Sequence, residues 1–468
     1  MTTLHPIDYD RSRLGVGIVH FGVGNFHRAH QALYLDELAS RGLADGWGIC
    51  GVGVLPADAV MRDALAAGDG VYTLVEQHPS GERAARQVGS ISRYLFAPEE
   101  LDEVLRVLAA PETRIVTLTI TEGGYAAADS AVHLSVFDIV IRGLERRRAA
   151  GVEPFAVVSC DNLPENGQVA RRAFVSAASR LSSELAAWVD SAVPFPSTMV
   201  DRITPATTDE HRAIARKEFG ATDAWPVLSE SFRQWVIEDT FPAGRPPLEE
   251  VGVQLVDDVH PYELAKLRIL NAGHQALAYF GLLAGYRYAH EAATDPVIRD
   301  AVSAYMVEAQ VTLNPVIDLD AYREQTLERF ANPHVRDTLA RLATDGVDRV
   351  TTFLLPVLRD RRQRGLSSPR SVAILAAWAR YLRLATGPDT ALPFTDRRAD
   401  EVALAVADLE RSIPAFLSRE AWFGDLAMDA EAVAALAKDI DLIANEANVQ
   451  LALHRIEDAA RAAEGVTR

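Results

Sequence analysis

Lys266, Asn271 and His274 stand in PYELAKLRILNAGHQALAYFG, residues 261–281, a run that otherwise reads as a buried apolar helix. A base, an amide and an imidazole in such surroundings suit proton transfer at a substrate oxygen held by neutral donors. Leu264, Leu267, Leu270, Leu277, Ala278 and Phe280 recur at helical intervals, and Pro261 fits a first turn whose amides are unpaired in any case. One α-helix of about five turns is expected. At about 100° per residue from Lys266, Glu263 falls at about 60°, His274 at about 80° and Asn271 at about 140°, so one face carries all four. Taken singly, Glu263 and Lys266 make an ordinary surface pair, and a lone helix His is usually just hydrogen-bonded. Together, amid Ala272, Leu277, Ala278, Tyr279 and Phe280, they predict burial, and a desolvated Lys has the lowered pKa that a proton acceptor near neutral pH requires.

That helix opens a helical half. Apolar-periodic stretches follow at 297–313, 335–343, 368–384, 399–409 and 430–462. Ahead of it, Val/Ile/Thr-rich stretches at 15–21, 47–54, 114–121 and 154–160 alternate with helical patterns at 28–41, 101–108, 136–148 and 168–190, and a last strand is expected at 251–257. Such a rhythm predicts a parallel sheet covered by helices on both faces.

The first strand runs into Gly22-x-Gly24-x-x-His27 and then a helix. Glycines there permit a tight turn and close approach of backbone to a diphosphate. The third glycine of the dinucleotide fingerprint is absent, and methyltransferases use similar turns, so position as the first strand-turn-helix carries the reading. Asp58, after the second strand, can accept hydrogen bonds from ribose hydroxyls and repel a 2′-phosphate, which points to NAD over NADP; a surface Asp in a polar turn is the plain alternative. His27 and His30 have no supporting Cys, Asp or third His at ligand spacing, so packing at the helix start is expected of them, and no metal.

The chain's 468 residues, 49% hydrophobic and 24% charged, suit two domains. Sixty-five Asp+Glu against 47 Lys+Arg give a net charge of −18, which argues against a nucleic-acid partner. Cys50 and Cys160 lie far apart in predicted strands and support neither a disulfide framework nor a zinc site. No signal peptide or long apolar span is visible, so a cytoplasmic protein without a membrane partner is expected.

FGVGNFHRAHQA, ICGVG, TITEGGY, SCDNLPENG, MVDRITP, WVIED and KLRILNAGH occur in this order along the chain. In wording and order they resemble the polyol-specific long-chain dehydrogenases. The resemblance implies an α/β Rossmann-type N-terminal domain at 1–258 and a mostly α-helical C-terminal substrate-binding domain at 259–468. It also implies NAD as cofactor, no zinc, a sugar alcohol and ketose as substrates with D-mannitol and D-fructose foremost, and a monomer or weak homo-oligomer. Lys266 becomes the general acid/base, Asn162 and Asn271 the amides holding the reacting oxygen, His274 the group that holds and orients the substrate's reacting region, and Glu263 a proton path to Lys266. Asp201, Arg341 and Arg349 are expected at the substrate, and Phe21, Gly22, Val23, Gly24, Asn25, Asp58 and Glu122 at the cofactor. Three features depart from the family pattern: Arg349 replaces a common Lys, Ala57 a common Glu, and the segment between Tyr125 and Val136 is short.

Tyr262-x-x-x-Lys266 also has the spacing of short-chain dehydrogenases, but those place the pair inside the dinucleotide domain. A closer rival is the uronate reductase branch of the same family, acting on fructuronate or tagaturonate. Arg341 argues for neutral polyols and Arg349 for a carboxylate. A non-catalytic NAD-binding sensor is the alternative of another class, and such a protein has no need of a buried base.

Overall fold

The computed structural model describes residues 3–126, 135–388, 392–446 and 448–464. Val16–Phe21 is strand, with five of its six residues buried, the mark of a strand covered on both faces. It lies at the centre of a five-stranded sheet ordered Ile91–Phe96, Gly48–Gly53, Val16–Phe21, Ile115–Leu118, Ala156–Ser159, in which every pairing is parallel. The chain builds outward on one side of Val16–Phe21 and then crosses to the other. A crevice therefore opens at the carboxyl ends of Val16–Phe21 and Ile115–Leu118, the position where dinucleotides bind in doubly wound sheets.

Two compact units emerge, Met1–His260 and Pro261–Arg468. The first is Rossmann-type and the second mostly helical. In the second, Ala272–Leu283 is the central helix: Ala272, Ala276 and Ala278 are wholly buried, and Leu339–Ala343, Pro369–Ala385 and Pro296–Gln310 pack around it. Among the described residues no helix is long and apolar enough to cross a membrane.

Several expected elements are subdivided. Residues 28–41 form Asn25–Ala29 and Gln31–Ser40, broken at His30. Residues 168–190 form Asn166–Ser179 and Ser183–Ala192, where Ser182 caps the second helix through Leu185 N. Residues 430–462 form Ala430–Asn445 and Val449–Ala463, with Asn448 capping the latter. Of 335–343 only Leu339–Ala343 is helical. Two smaller mixed sheets accompany the parallel one, including an antiparallel hairpin of Tyr72–Gln77 and Arg83–Val88.

Asp439 in Ala430–Asn445 is only 7% exposed, and burial pushes its pKa up to about 7, opposed by Lys438. A carboxyl whose folded pKa lies above its unfolded value favours the neutral form when folded. Its contribution is therefore fully present below the unfolded pKa and is lost as pH rises through about 7. Asp439→Asn is expected to raise the melting temperature more at pH 8 than at pH 5, because the ionised carboxylate it removes weighs on the fold by roughly a few kcal/mol. An equal gain at both pH values would contradict this.

Candidate active site

Because the five strands are parallel, the segments after Phe21, Gly53, Leu118 and Ser159 all emerge on one edge of the sheet. These segments carry Gly22–Asn25, Asp58, Thr121–Ala126 and Asn162. Gly22 has φ +94°, and a Cβ there would lie 2.1 Å from Thr119 O, so only glycine fits. Above Gly24 the space is open: a Cβ would meet nothing nearer than Gly22 O at 3.8 Å. Gly24 precedes Asn25–Ala29 with no side-chain cap, which leaves first-turn amides for an outside acceptor. Residues Gly22 to Gly24 thus fit a diphosphate.

Asn25 has a tethering role as well. Its amide donates to Pro205 O and Thr207 Oγ1, both at 2.9 Å, and its Oδ1 accepts from Arg28 Nη2 at 2.7 Å. Arg28 is wholly buried, and burial lowers its pKa to about 10. Asp58 Oδ2 accepts from Val54 N and Leu55 N at 2.8 Å each, which fixes the carboxylate at the end of Gly48–Gly53. Thr121 N donates to Asp161 Oδ1 at 2.7 Å and so ties the helix start beside Glu122 to the loop that carries Asn162, itself exposed. The Glu122 side chain, like residues 127–134 within the shortened segment, lies outside the described residues. Asp201 ends Thr198–Asp201 and is buried.

In the second unit the expected uniform α-helix is interrupted. His260–Ala265 is α-helical, Lys266–Asn271 is π-helical, and α-helix resumes at Ala272. The π pairing of i with i+5 brings residues five apart into one column, where α geometry would splay them. Asn271 therefore stands much closer in angle to Lys266 than the expected 140°. Lys266 is 9% and Glu263 8% exposed. His274 stacks on Phe330 with ring centres 4.2 Å apart.

A second π segment, Val350–Leu354, follows Arg349 and packs against the first. Arg341 is half of a forked pair with Asp337, through Nε to Oδ1 at 2.6 Å and through Nη2 to Oδ2. Arg349 differs. Half-buried, its guanidinium makes no hydrogen bond or ion pair among the described residues, and burial together with Arg341 lowers its pKa. Thr121, Glu165 and Asp345, three of the four non-glycine residues with positive φ among the described residues, lie one, three and four residues along the chain from Glu122, Asn162 and Arg349 respectively. Such strain concentrates at functional sites. Among the described residues no group of three or more His, Cys, Asp or Glu could hold a metal ion.

The mannitol dehydrogenase Rossmann-domain model matches residues 16–250, and the mannitol dehydrogenase C-terminal-domain model matches residues 258–444. The chain belongs to the mannitol dehydrogenase family. Within that family it is 46% identical over 395 residues to mannitol 2-dehydrogenase of Cereibacter sphaeroides, covering 80% of this chain and 82% of that protein. Pseudomonas fluorescens mannitol 2-dehydrogenase, solved as a ternary complex with NAD and D-mannitol, superposes with a TM-score of 0.82 at 38% identity, covering 98% of this chain and 97% of that one. A D-sorbitol dehydrogenase solved in substrate-free form gives a TM-score of 0.88 at 34% identity, covering 97% and 100%.

Proposed function

We propose that this chain is an NAD-dependent polyol dehydrogenase that interconverts D-mannitol and D-fructose without a metal, with Lys266 as general acid/base. The observation that carries the catalytic assignment is the π-helical turn that begins at buried Lys266 and ends at Asn271. Family membership supplies the reaction class, and the relative's complex with NAD and D-mannitol supplies the substrates.

When bound, the nicotinamide supplies the acceptor for the hydride that leaves the carbinol carbon. Lys266 enters neutral and takes the hydroxyl proton, and Glu263, one turn earlier on the helix, passes that proton toward solvent. Asn162 and Asn271 donate N–H groups to the oxygen as it gains charge and becomes a carbonyl oxygen. His274, fixed by its stack on Phe330, orients the reacting carbon. Asp201, Arg341 and Arg349 bind the remaining hydroxyls, and Arg341 arrives already neutralised by Asp337. Gly22, Val23, Gly24 and Asn25 would hold the diphosphate beside Phe21, Asp58 would take the adenosine ribose, and Glu122 would complete the cofactor set. In reduction each proton step reverses.

Arg349 favours a second reading, because a half-buried guanidinium without a hydrogen-bond or ion-pair partner among the described residues suits a sugar-acid carboxylate. Turnover of D-mannitol, D-arabinitol, D-sorbitol and D-mannonate with NAD separates the two. On the first reading D-mannitol gives the highest kcat/KM, and Arg349→Ala raises its KM by about 10-fold, as loss of one charge-assisted hydrogen bond predicts. D-mannonate as best substrate, abolished by the same substitution, would establish the uronate branch instead. NAD binding with no turnover of any polyol or sugar acid would leave only a sensor.

A further inference from the structure

The Gly22 carbonyl receives three donors. Gly24 N reaches it at 2.6 Å, the Thr119 hydroxyl at 2.7 Å and His20 Nε2 at 3.2 Å. His20 Nε2 also lies 3.1 Å from Thr119 Oγ1, whose own proton goes to Gly22 O; both oxygens therefore accept from the ring, which puts the His20 proton on Nε2, shared between them. Nδ1, 2.7 Å from Thr117 Oγ1, then accepts from that hydroxyl. His20 is wholly buried, and its ring stacks on that of His27 at 3.4 Å and 12°, which fixes its tilt. Burial also lowers its pKa to about 3, so the neutral ring persists across the working pH range.

The donors come from the interior. His20 lies within the central strand, and Thr119 follows its neighbour Ile115–Leu118. With Gly24 N they occupy the Gly22 oxygen. Left free, that oxygen would place partial negative charge where the cofactor's diphosphate has to lie, whereas backbone N–H groups attract it.

We propose that His20 is a positioning residue for the dinucleotide: with Thr119 it holds the Gly22 carbonyl away from the diphosphate, so that the turn presents only donors. This rests on the reading of the Gly22–Gly24 turn as the cofactor site. The role lies in binding and touches neither the substrate nor the proton path.

Binding of NADH, ADP and adenosine to the full chain tests it by calorimetry. His20→Phe keeps the ring and its stack but removes the donor, and His20→Gln restores an N–H near Nε2. His20→Phe is expected to weaken NADH and ADP by about tenfold or more while adenosine changes by less than about twofold, and His20→Gln to recover most of the loss. Thr119→Val, which removes a second donor to the same oxygen, is expected to shift the ADP-to-adenosine ratio in the same direction, and it decides the matter if His20→Phe does not fold. An unchanged ratio in the folded variants, or equal loss of ADP and adenosine, overturns the proposal. A wild-type chain that binds no NADH overturns the proposed function instead.

Discussion

Lys266→Ala is expected to lower NAD-dependent oxidation of D-mannitol by about 10²–10⁴-fold at saturating cofactor, the range for loss of a positioned general base. Lys266 is 9% exposed, so water has little access to replace it as proton acceptor. ADP binding, which the proposed function assigns to the Gly22–Gly24 turn, is expected to stay within about twofold of wild type. Lys266→Arg supplies a permanent charge and cannot accept a proton near neutral pH, and it is expected to be as inactive as the alanine variant. Steady-state NADH formation paired with ADP calorimetry checks both statements. An active Lys266→Arg variant would show that the residue supplies charge and not a base.

Asn271→Ala and Asn162→Ala are each expected to reduce kcat by about 10²–10³-fold, as removal of one donor to a developing oxyanion does. On the proposed assignment both serve one oxygen, so the double variant is expected to fall short of the product of the single effects. Asn271 is the more exacting of the pair. It reaches its angle near Lys266 only because Lys266–Asn271 is π-helical, so its position depends on the backbone as well as on residue type. Separate determination of kcat and KM decides between roles. A rise in KM with kcat intact would make the amides ground-state binders.

The central strand, the glycine turn and the polar helix face were legible because each depends on local pattern: alternating burial, a strand running into glycines, and helical spacing of Leu264, Leu267 and Leu270. The π turn was not legible. The apolar residues still fall at three-residue intervals in sequence, so the pattern carries no mark of the turn, which shows only in backbone hydrogen bonding. Arg83–Val88 escaped because RAARQV faces solvent on one side and carries too little apolar character, although the Pro79-Ser80-Gly81 turn before it marks a hairpin. His20 looked like an ordinary strand residue, since its role rests on Thr119 and Gly22 meeting it in space. Positive φ at Thr121 has no sequence signature in a β-branched residue. The assignment of Asn162 and Lys266 to one reaction rests on the order of the family motifs, since spacing alone cannot supply it.

The most direct test of Lys266 as the base is the rate of NADH formation from D-mannitol by Lys266→Ala as methylamine is added at fixed pH. With Lys266 as the base, the rate is near zero without amine, rises with the concentration of free methylamine and saturates below wild type. A variant that oxidises D-mannitol at the wild-type rate with no amine present would contradict it.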